Sequence, residues 1–225
     1  MVSMNLFTIS IAIIIFVFAQ AKDHPTLPTQ WTAITIEPGA GEGQESYNFV
    51  AEPSTDKPSS MWSKYKGCQR LIHVDNYSGG TRYLLGCESV KCCTETQSGN
   101  QVEFQIPNVQ YSDPTREVEI TYTGNVTITN FDEKMVADEW AWSVQTHSGS
   151  VIGDYKAYTV DCSGQGCPTG VQLLQWQARA FGSPWYTIQF KDYKGIDPSE
   201  SAAFEETFAI PEECQGNILS CSNDD

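Results

Sequence analysis

Apolar and polar residues alternate along most of this chain with a period of two. Gln101 to Val109 sets Val102, Phe104 and Ile106 against Glu103 and Gln105. Glu117 to Thr123 sets Val118, Ile120 and Tyr122 against Glu117, Glu119 and Thr121, and Asn125 to Asn130 continues with Val126 and Ile128. Val136 to Val144 carries Trp140, Trp142 and Val144 on one side. Successive side chains of a strand point to opposite faces, so this pattern predicts strands half buried against a core. Trp31 to Ile36, Ser46 to Ala51, Cys68 to Val74, Thr81 to Cys87, Tyr155 to Val160, Gln172 to Phe181 and Trp185 to Tyr193 read the same way. Gly39, Gly41 and Gly43 form a hairpin loop, and Pro53 to Ser60 reads as a polar loop.

The breaks fall every 8 to 12 residues at Gly, Asn, Asp and Ser, the spacing of an antiparallel all-β protein. About ten to eleven strands exceed what one flat sheet holds, so they stack as two sheets or curl into an open barrel. No internal repeat supports a propeller or solenoid. One helical turn or two is predicted over Asp197–Phe204, with Asp197 as N-cap, Pro198 at the first position and Glu200 completing a capping box.

The first segment changes the picture from a fold to a compartment. Leu6 to Ala19 is apolar apart from Thr8 and Ser10, and Ala19-Gln20-Ala21 fits a small-x-small cleavage rule. Residues 1–21 therefore read as a signal peptide and 22–225 as a single β domain. The apolar run is shorter than the roughly 20 residues a spanning helix needs, and no later run reaches that length. All eight cysteines lie beyond Ala21: Cys68, Cys87, Cys92, Cys93, Cys162, Cys167, Cys214 and Cys221. In a secreted chain they read as four disulfides. A zinc site would want tight Cys-x-x-Cys pairs, which are absent from the sequence.

The net charge of -15 argues against nucleic acid and against electrostatic docking to anionic membranes as partners. It admits Ca²⁺ or an acidic compartment, beside the plainer role of solubility. Asn130, Asp132 and Glu133, then Asp138 and Glu139, form acidic turns able to supply oxygen ligands, although no EF-hand loop exists. No cofactor is required.

Catalytic chemistry finds no foothold. The three histidines are His24 in the lead-in, His73 in a strand and His147 beside a turn. No Gly-x-Ser-x-Gly elbow or His-Glu-x-x-His motif occurs, and the glycines near residue 40 lack the Lys-Ser/Thr of a phosphate loop. The chain is read as a non-enzyme. Two sequons, Asn76-Tyr77-Ser78 and Asn125-Val126-Thr127, fall at predicted turns and mark a glycoprotein. Trp140, Trp142, Trp176, Trp185, Tyr186 and Phe190 sit on strands of the C-terminal half, with Ile188 beside them. Large aromatics can floor an apolar pocket in a curved sheet or pack as ordinary core. Trp140, Trp142, Trp176, Tyr186, Ile188 and Phe190 are the candidate pocket residues.

Several runs resemble ependymin-related proteins. They are Tyr155-Lys156-Ala157-Tyr158-Thr159-Val160-Asp161-Cys162, then Trp185-Tyr186-Thr187-Ile188-Gln189-Phe190, Gly195-Ile196-Asp197-Pro198-Ser199 and Phe208-Ala209-Ile210-Pro211-Glu212-Glu213-Cys214. Cys68-Gln69-Arg70-Leu71-Ile72 and the Pro28–Trp31 spacing are similar to the family's early segments. The resemblance is strong from Asp154 to Cys214 and loose from Asn76 to Asp138. It implies two stacked curved antiparallel sheets, a half-open barrel around a deep hydrophobic pocket, related to bacterial lipoprotein carriers. It implies a secreted or lysosomal glycoprotein, often a homodimer, that binds lipid or another hydrophobic small molecule. It also implies Ca²⁺ and cell-matrix adhesion, with extracellular matrix as a partner. By position it implies Cys68–Cys221 and a bond from Cys92 or Cys93 to Cys214. The family's lead-in cysteine, which pairs with the residue matching Cys162, is absent from this sequence. That leaves Cys167 as partner for Cys162, Cys87 for whichever of Cys92 and Cys93 remains, and no covalent tether on the lead-in.

Overall fold

A computed structural model describes residues 22–36, 43–49, 59–65, 68–75, 79–86, 92–97, 118, 120–145, 151–180, 182–215 and 219–221. The expected signal peptide (residues 1–21), the strand expected over 101–109, Asn76, Cys87 and His147 lie outside these residues. The described chain is all-β with one short helix. In order the strands are β1 (Gln30–Ile36), β2 (Gln44–Phe49), β3 (Ser59–Tyr65), β4 (Cys68–Asp75), β5 (Gly79–Leu85) and β6 (Cys92–Gln97). There follow β7 (Ile120–Asn130), β8 (Glu133–Gln145), β9 (Val151–Asp161), β10 (Val171–Ala180) and β11 (Tyr186–Gly195). The helix α1 (Ser201–Glu206), a single 3-10 turn (Glu212–Cys214) and the two-residue β12 (Leu219–Ser220) end the described chain.

The expected two sheets are one continuous ladder of twelve strands, ordered β12-β6-β5-β4-β3-β2-β1-β11-β10-β9-β8-β7. The join is β1, which pairs antiparallel with β2 on one side and β11 on the other. Only the short β12 runs parallel to its neighbour β6. The ladder curls. Its far end meets β11 through side chains rather than backbone: Asn130 Nδ2 donates to the Phe190 carbonyl at 2.9 Å, and the Phe131 N–H donates to Gln189 Oε1 at 3.1 Å. Gln189 Nε2 in turn donates to the Thr129 carbonyl at 3.3 Å. A half-open barrel closed at one corner results.

Three local readings change. The predicted strands 117–123 and 125–130 are one strand, β7, because Gly124 (φ +112°) absorbs a bulge instead of ending the ladder. β6 is a strand that no alternation announced, and the polar loop expected over 53–60 gives way to β3 at Ser59, just ahead of the alternation that sets in at Met61. The helix starts at Ser201, with Glu200 as N-cap and no side-chain cap bond, so Asp197 is not the cap. Asp197-Pro198 opens a tight turn first, with the Glu200 N–H donating to the Asp197 carbonyl at 2.9 Å.

Apolar residues gather in three clusters. The largest joins Leu27 of the lead-in and Trp31, Met61 and Ile72 of the first half to Trp140, Trp142, Ala157, Leu173, Trp176, Ile188, Phe190 and Tyr193 of the second. α1 packs Phe204, and the residues after it Phe208, on Leu71, Tyr47 and Tyr83 across the other face of β4. His73 is tied into this docking by a donated bond from Nε2 to the Phe208 carbonyl at 2.9 Å. The third cluster, Ala137, Tyr158 and Leu174 with Val126, Ile128, Met135 and Val160, lies on the opposite face of β7–β10 from the tryptophans.

Disulfides tie the tail to β6: Cys92–Cys214 and Cys93–Cys221. This corrects the Cys68–Cys221 pairing implied by the resemblance; Cys68 is disulfide-bonded elsewhere. The parallel pairing Leu219↔Cys93 explains it, since it brings Cys221 alongside β6. Cys162 pairs with Cys167, closing a small loop whose Gly166 carbonyl accepts from the Gly195 N–H at 2.7 Å. Gly195 has no room for a side chain: a Cβ there would sit 2.6 Å from Pro168 Cδ and 2.9 Å from Pro28 Cγ.

Tyr193 is buried with its hydroxyl unpartnered among the described residues, and burial pushes its pKa well above the ordinary tyrosine value. Deleting that oxygen removes an unsatisfied polar atom. Tyr193→Phe is therefore expected to leave stability unchanged or raise it by about 1 kcal/mol. Urea unfolding checks this, and a clear loss of stability would contradict it.

Candidate functional site

The site is built by register across five strands. One row runs Ile120–Trp142–Tyr155–Ala178–Tyr186 from β7 to β11. The next row runs Tyr122–Trp140–Ala157–Trp176–Ile188. Alanines sit among the large rings in both rows. Ala157 lies between Trp140 and Trp176 and is fully buried, so the rings close over it. Ala178 lies between Tyr155 and Tyr186, and there the rings do not close.

The result is an open groove of about 300 Å³ lined by Gly153, Tyr155, Ala178, Arg179, Ala180, Ser183, Pro184 and Tyr186. A Cβ at Gly153 would crowd the Arg179 carbonyl at 3.1 Å and touch the Tyr155 ring at 3.4 Å. Behind the groove the rings form a connected wall. Trp142 stacks on Tyr155 with centroids 5.7 Å apart and planes 8° apart. Trp176 meets Trp142 edge-on at 5.1 Å and Tyr155 at 6.1 Å. Such offset and edge-to-face contacts add about 0.5–1.5 kcal/mol per pair beyond burial.

Of the six candidate pocket residues, the structure places all on β8, β10 and β11 in the main cluster or beside it. Trp140, Trp142, Trp176, Ile188 and Phe190 are buried core, and only Tyr186, 43% exposed, lines the groove itself. Tyr155 and Ala178 were missed. No single strand announces them; their meaning lies in the register between strands.

The opposite face of the same strands carries two ion pairs. Lys156 pairs with Glu139 at 3.1 Å and Arg179 with Asp154 at 2.8 Å. Both cations also lie over the Trp185 ring, at 5.7 and 4.6 Å from its centroid. Burial pushes Glu139 up, but bonds from Thr123, Tyr158 and Lys156 outweigh it and hold the carboxyl below its ordinary value. The Ser143 hydroxyl, then Arg179, do the same for Asp154.

The acidic positions expected in turns are dispersed. Asp132 and Glu133 are exposed at the β7–β8 turn. Asp138 and Glu139 are inside β8, where neighbours face opposite sides, and each holds a different lysine. Asn130 spends its amide on Phe190. No three His, Cys, Asp or Glu side chains gather at a common point among the described residues.

The lead-in is tethered after all, ionically. Lys22 Nζ binds buried Asp138 and reaches Asp161 at 3.4 Å, one residue before Cys162. Asp138 also accepts from the Tyr122 hydroxyl and from Asn125 Nδ2, both at 2.9 Å. From that anchor the chain passes His24, whose ring lies 5.9 Å from Trp140, and buries Leu27. The lead-in thus crosses the tryptophan face and leaves the Tyr155–Tyr186 end open.

Lys22→Gln is expected to lower stability by about 1–2 kcal/mol, since Asp138 keeps its other two donors. The bond to Asp138 raises the Lys22 pKa above 10.5, and likewise the Tyr122 pKa above 10.0. A group whose folded pKa is raised contributes in full below its unfolded pKa and loses that contribution as pH rises past it. The melting temperature is therefore expected to hold to about pH 10 and fall above it, less steeply in Lys22→Gln. Equal slopes for the two proteins would remove Lys22 from the account.

No family model matches the chain, and no curated protein matches it. Among solved structures it is similar to a DUF1329 family protein from Desulfovibrio piger, at 11% identity and a TM-score of 0.33, over 84% of this chain and 92% of that one. No described helix is long and apolar enough to cross a membrane.

Proposed function

We propose that this chain is a secreted, non-enzymatic, ependymin-related protein that holds an apolar ligand, such as an acyl chain, along its aromatic groove. The observation that carries the reading is the gap at Ala178, where Tyr155 and Tyr186 flank a residue too small to fill the space between them. A volume of about 300 Å³ is at the small end of ligand sites, which suits one slender chain rather than a bulky ring system. The disulfides support an oxidising compartment.

The test is occlusion. Ala178→Trp fills the groove from its floor. It is expected to weaken binding of a fluorescent fatty acid at least tenfold, about 1.4 kcal/mol, while the melting temperature holds. Native mass spectrometry of protein purified without detergent should show co-purifying lipid in the wild type and none in the variant. Unchanged binding in Ala178→Trp would overturn the site. Absence of any lipid binding by the wild type would overturn the function.

A further inference from the structure

The two edges of the sheet are treated differently. At one edge, β6 is covered by β12 and fastened to the tail through Cys92–Cys214 and Cys93–Cys221. At the other, β7 has no strand beyond it among the described residues. It is 11 residues long, ITYTGNVTITN, with no charged residue and no proline. The bonds at Thr129 and Phe131 close only its last turn against β11. An uncharged edge of this length, with no strand beyond it among the described residues, offers its outer backbone groups to another strand. A second copy of β7 is a fitting partner, because an antiparallel pair of identical strands is self-complementary about a twofold axis. The usual guards against such pairing, Lys or Pro on the edge, are missing; a bulge at Gly124 is present.

At the middle of this edge, next to the bulge, stands Asn125, exposed and first residue of Asn125-Val126-Thr127. The sequon lies not in the expected turn but in the edge strand itself. We propose that Asn125 carries an N-linked glycan and that this glycan guards the β7 edge against pairing with a second copy of the chain. The donor is a lipid-pyrophosphate-linked oligosaccharide. Nδ2 forms the bond to the anomeric carbon, the glycosyl–oxygen bond breaks, the lipid pyrophosphate leaves, and Nδ2 gives up one proton. The remaining N–H still serves the bond to Asp138 Oδ1. The proposal rests on the secretory reading and is independent of what the groove binds.

The experiment uses full-length protein secreted from eukaryotic cells. Intact mass after treatment with a peptide N-glycosidase should show a glycan at Asn125, converted to aspartate on release. Three substitutions at exposed Thr127 leave Asn125 and its bond to Asp138 in place. Thr127→Ser keeps the sequon, Thr127→Ala removes it, and Thr127→Lys removes it but puts a charge on the same edge. In 0.15 M salt, where charges beyond about 8 Å are screened, light scattering should show Thr127→Ala adding a population of about twice the glycosylated protein's mass. Thr127→Ser and Thr127→Lys should match the wild type. Hydrogen exchange should show the amides of residues 120–127 newly protected in Thr127→Ala. An unoccupied Asn125 in the secreted wild type would overturn the proposal. So would Thr127→Ala remaining at the wild-type mass, or associating without protection of β7.

Discussion

Removing both tail disulfides, by alanine at Cys92, Cys93, Cys214 and Cys221, is expected to lower the unfolding free energy by about 7 kcal/mol, against about 2–3 kcal/mol for removing either one. The asymmetry follows from how the bonds are placed. They close loops of 122 and 128 residues between neighbouring cysteines at one end and nearby cysteines at the other. The first bond to form restricts the whole C-terminal half of the unfolded chain. The second, given the first, closes only a loop of about ten residues. Breaking one alone therefore releases the small loop, and breaking both releases the large one as well. Cys214 is 1% exposed, so its truncation adds a packing loss on top. Urea unfolding of the two paired variants, Cys92→Ala/Cys214→Ala and Cys93→Ala/Cys221→Ala, with the fourfold variant beside them, checks the pattern. Losses that simply add would show that the two bonds act on separate loops in the unfolded chain.

How far the sequence announced this fold depends on the strand. Where large apolar residues recur every second position, as at Trp140 and Trp142 in β8, period-two reading found the strand and assigned those two side chains to the buried side. It failed where a bulge shifts the phase. β7 was split at Gly124, and β10 slips between Leu173 and Gln175, which puts Leu174 on the opposite face from Trp176 although the two are two residues apart. β6 carries Cys-Cys-Thr-Glu-Thr-Gln and is held by disulfides instead of an apolar face, so no alternation marked it. The groove was half legible. Its aromatic wall was visible as bulky residues on strands, but the gap was not, because it comes from Ala178 lying level with Tyr155 and Tyr186 on two other strands. Lys22 was invisible for the same reason: its partner Asp138 is 116 residues away.

Trp31→Ala is expected to destabilise the protein by about 3–5 kcal/mol. Trp31 is fully buried, and its ring meets Phe190 edge-on at 5.5 Å and Tyr193 at 5.2 Å. It stands level with Gly195 on β11 and with Asn48 on β2. Gly195 is itself pressed by Pro28 and Pro168, so the neighbourhood cannot collapse into the space a missing indole leaves. The cavity term is then near its upper range, because relaxation is what normally reduces it. β1 alone joins the two halves of the ladder, so the weakened contact is at the seam. Hydrogen exchange in Trp31→Ala should speed up in β1, β2 and β11 before it does in β8 and β9. Val136→Ala, at a side chain 62% exposed, should change stability by no more than about 0.5 kcal/mol. A loss at Trp31 no larger than that at Val136 would mean that the halves are held together by the lead-in and the tail, with the strand between them contributing little.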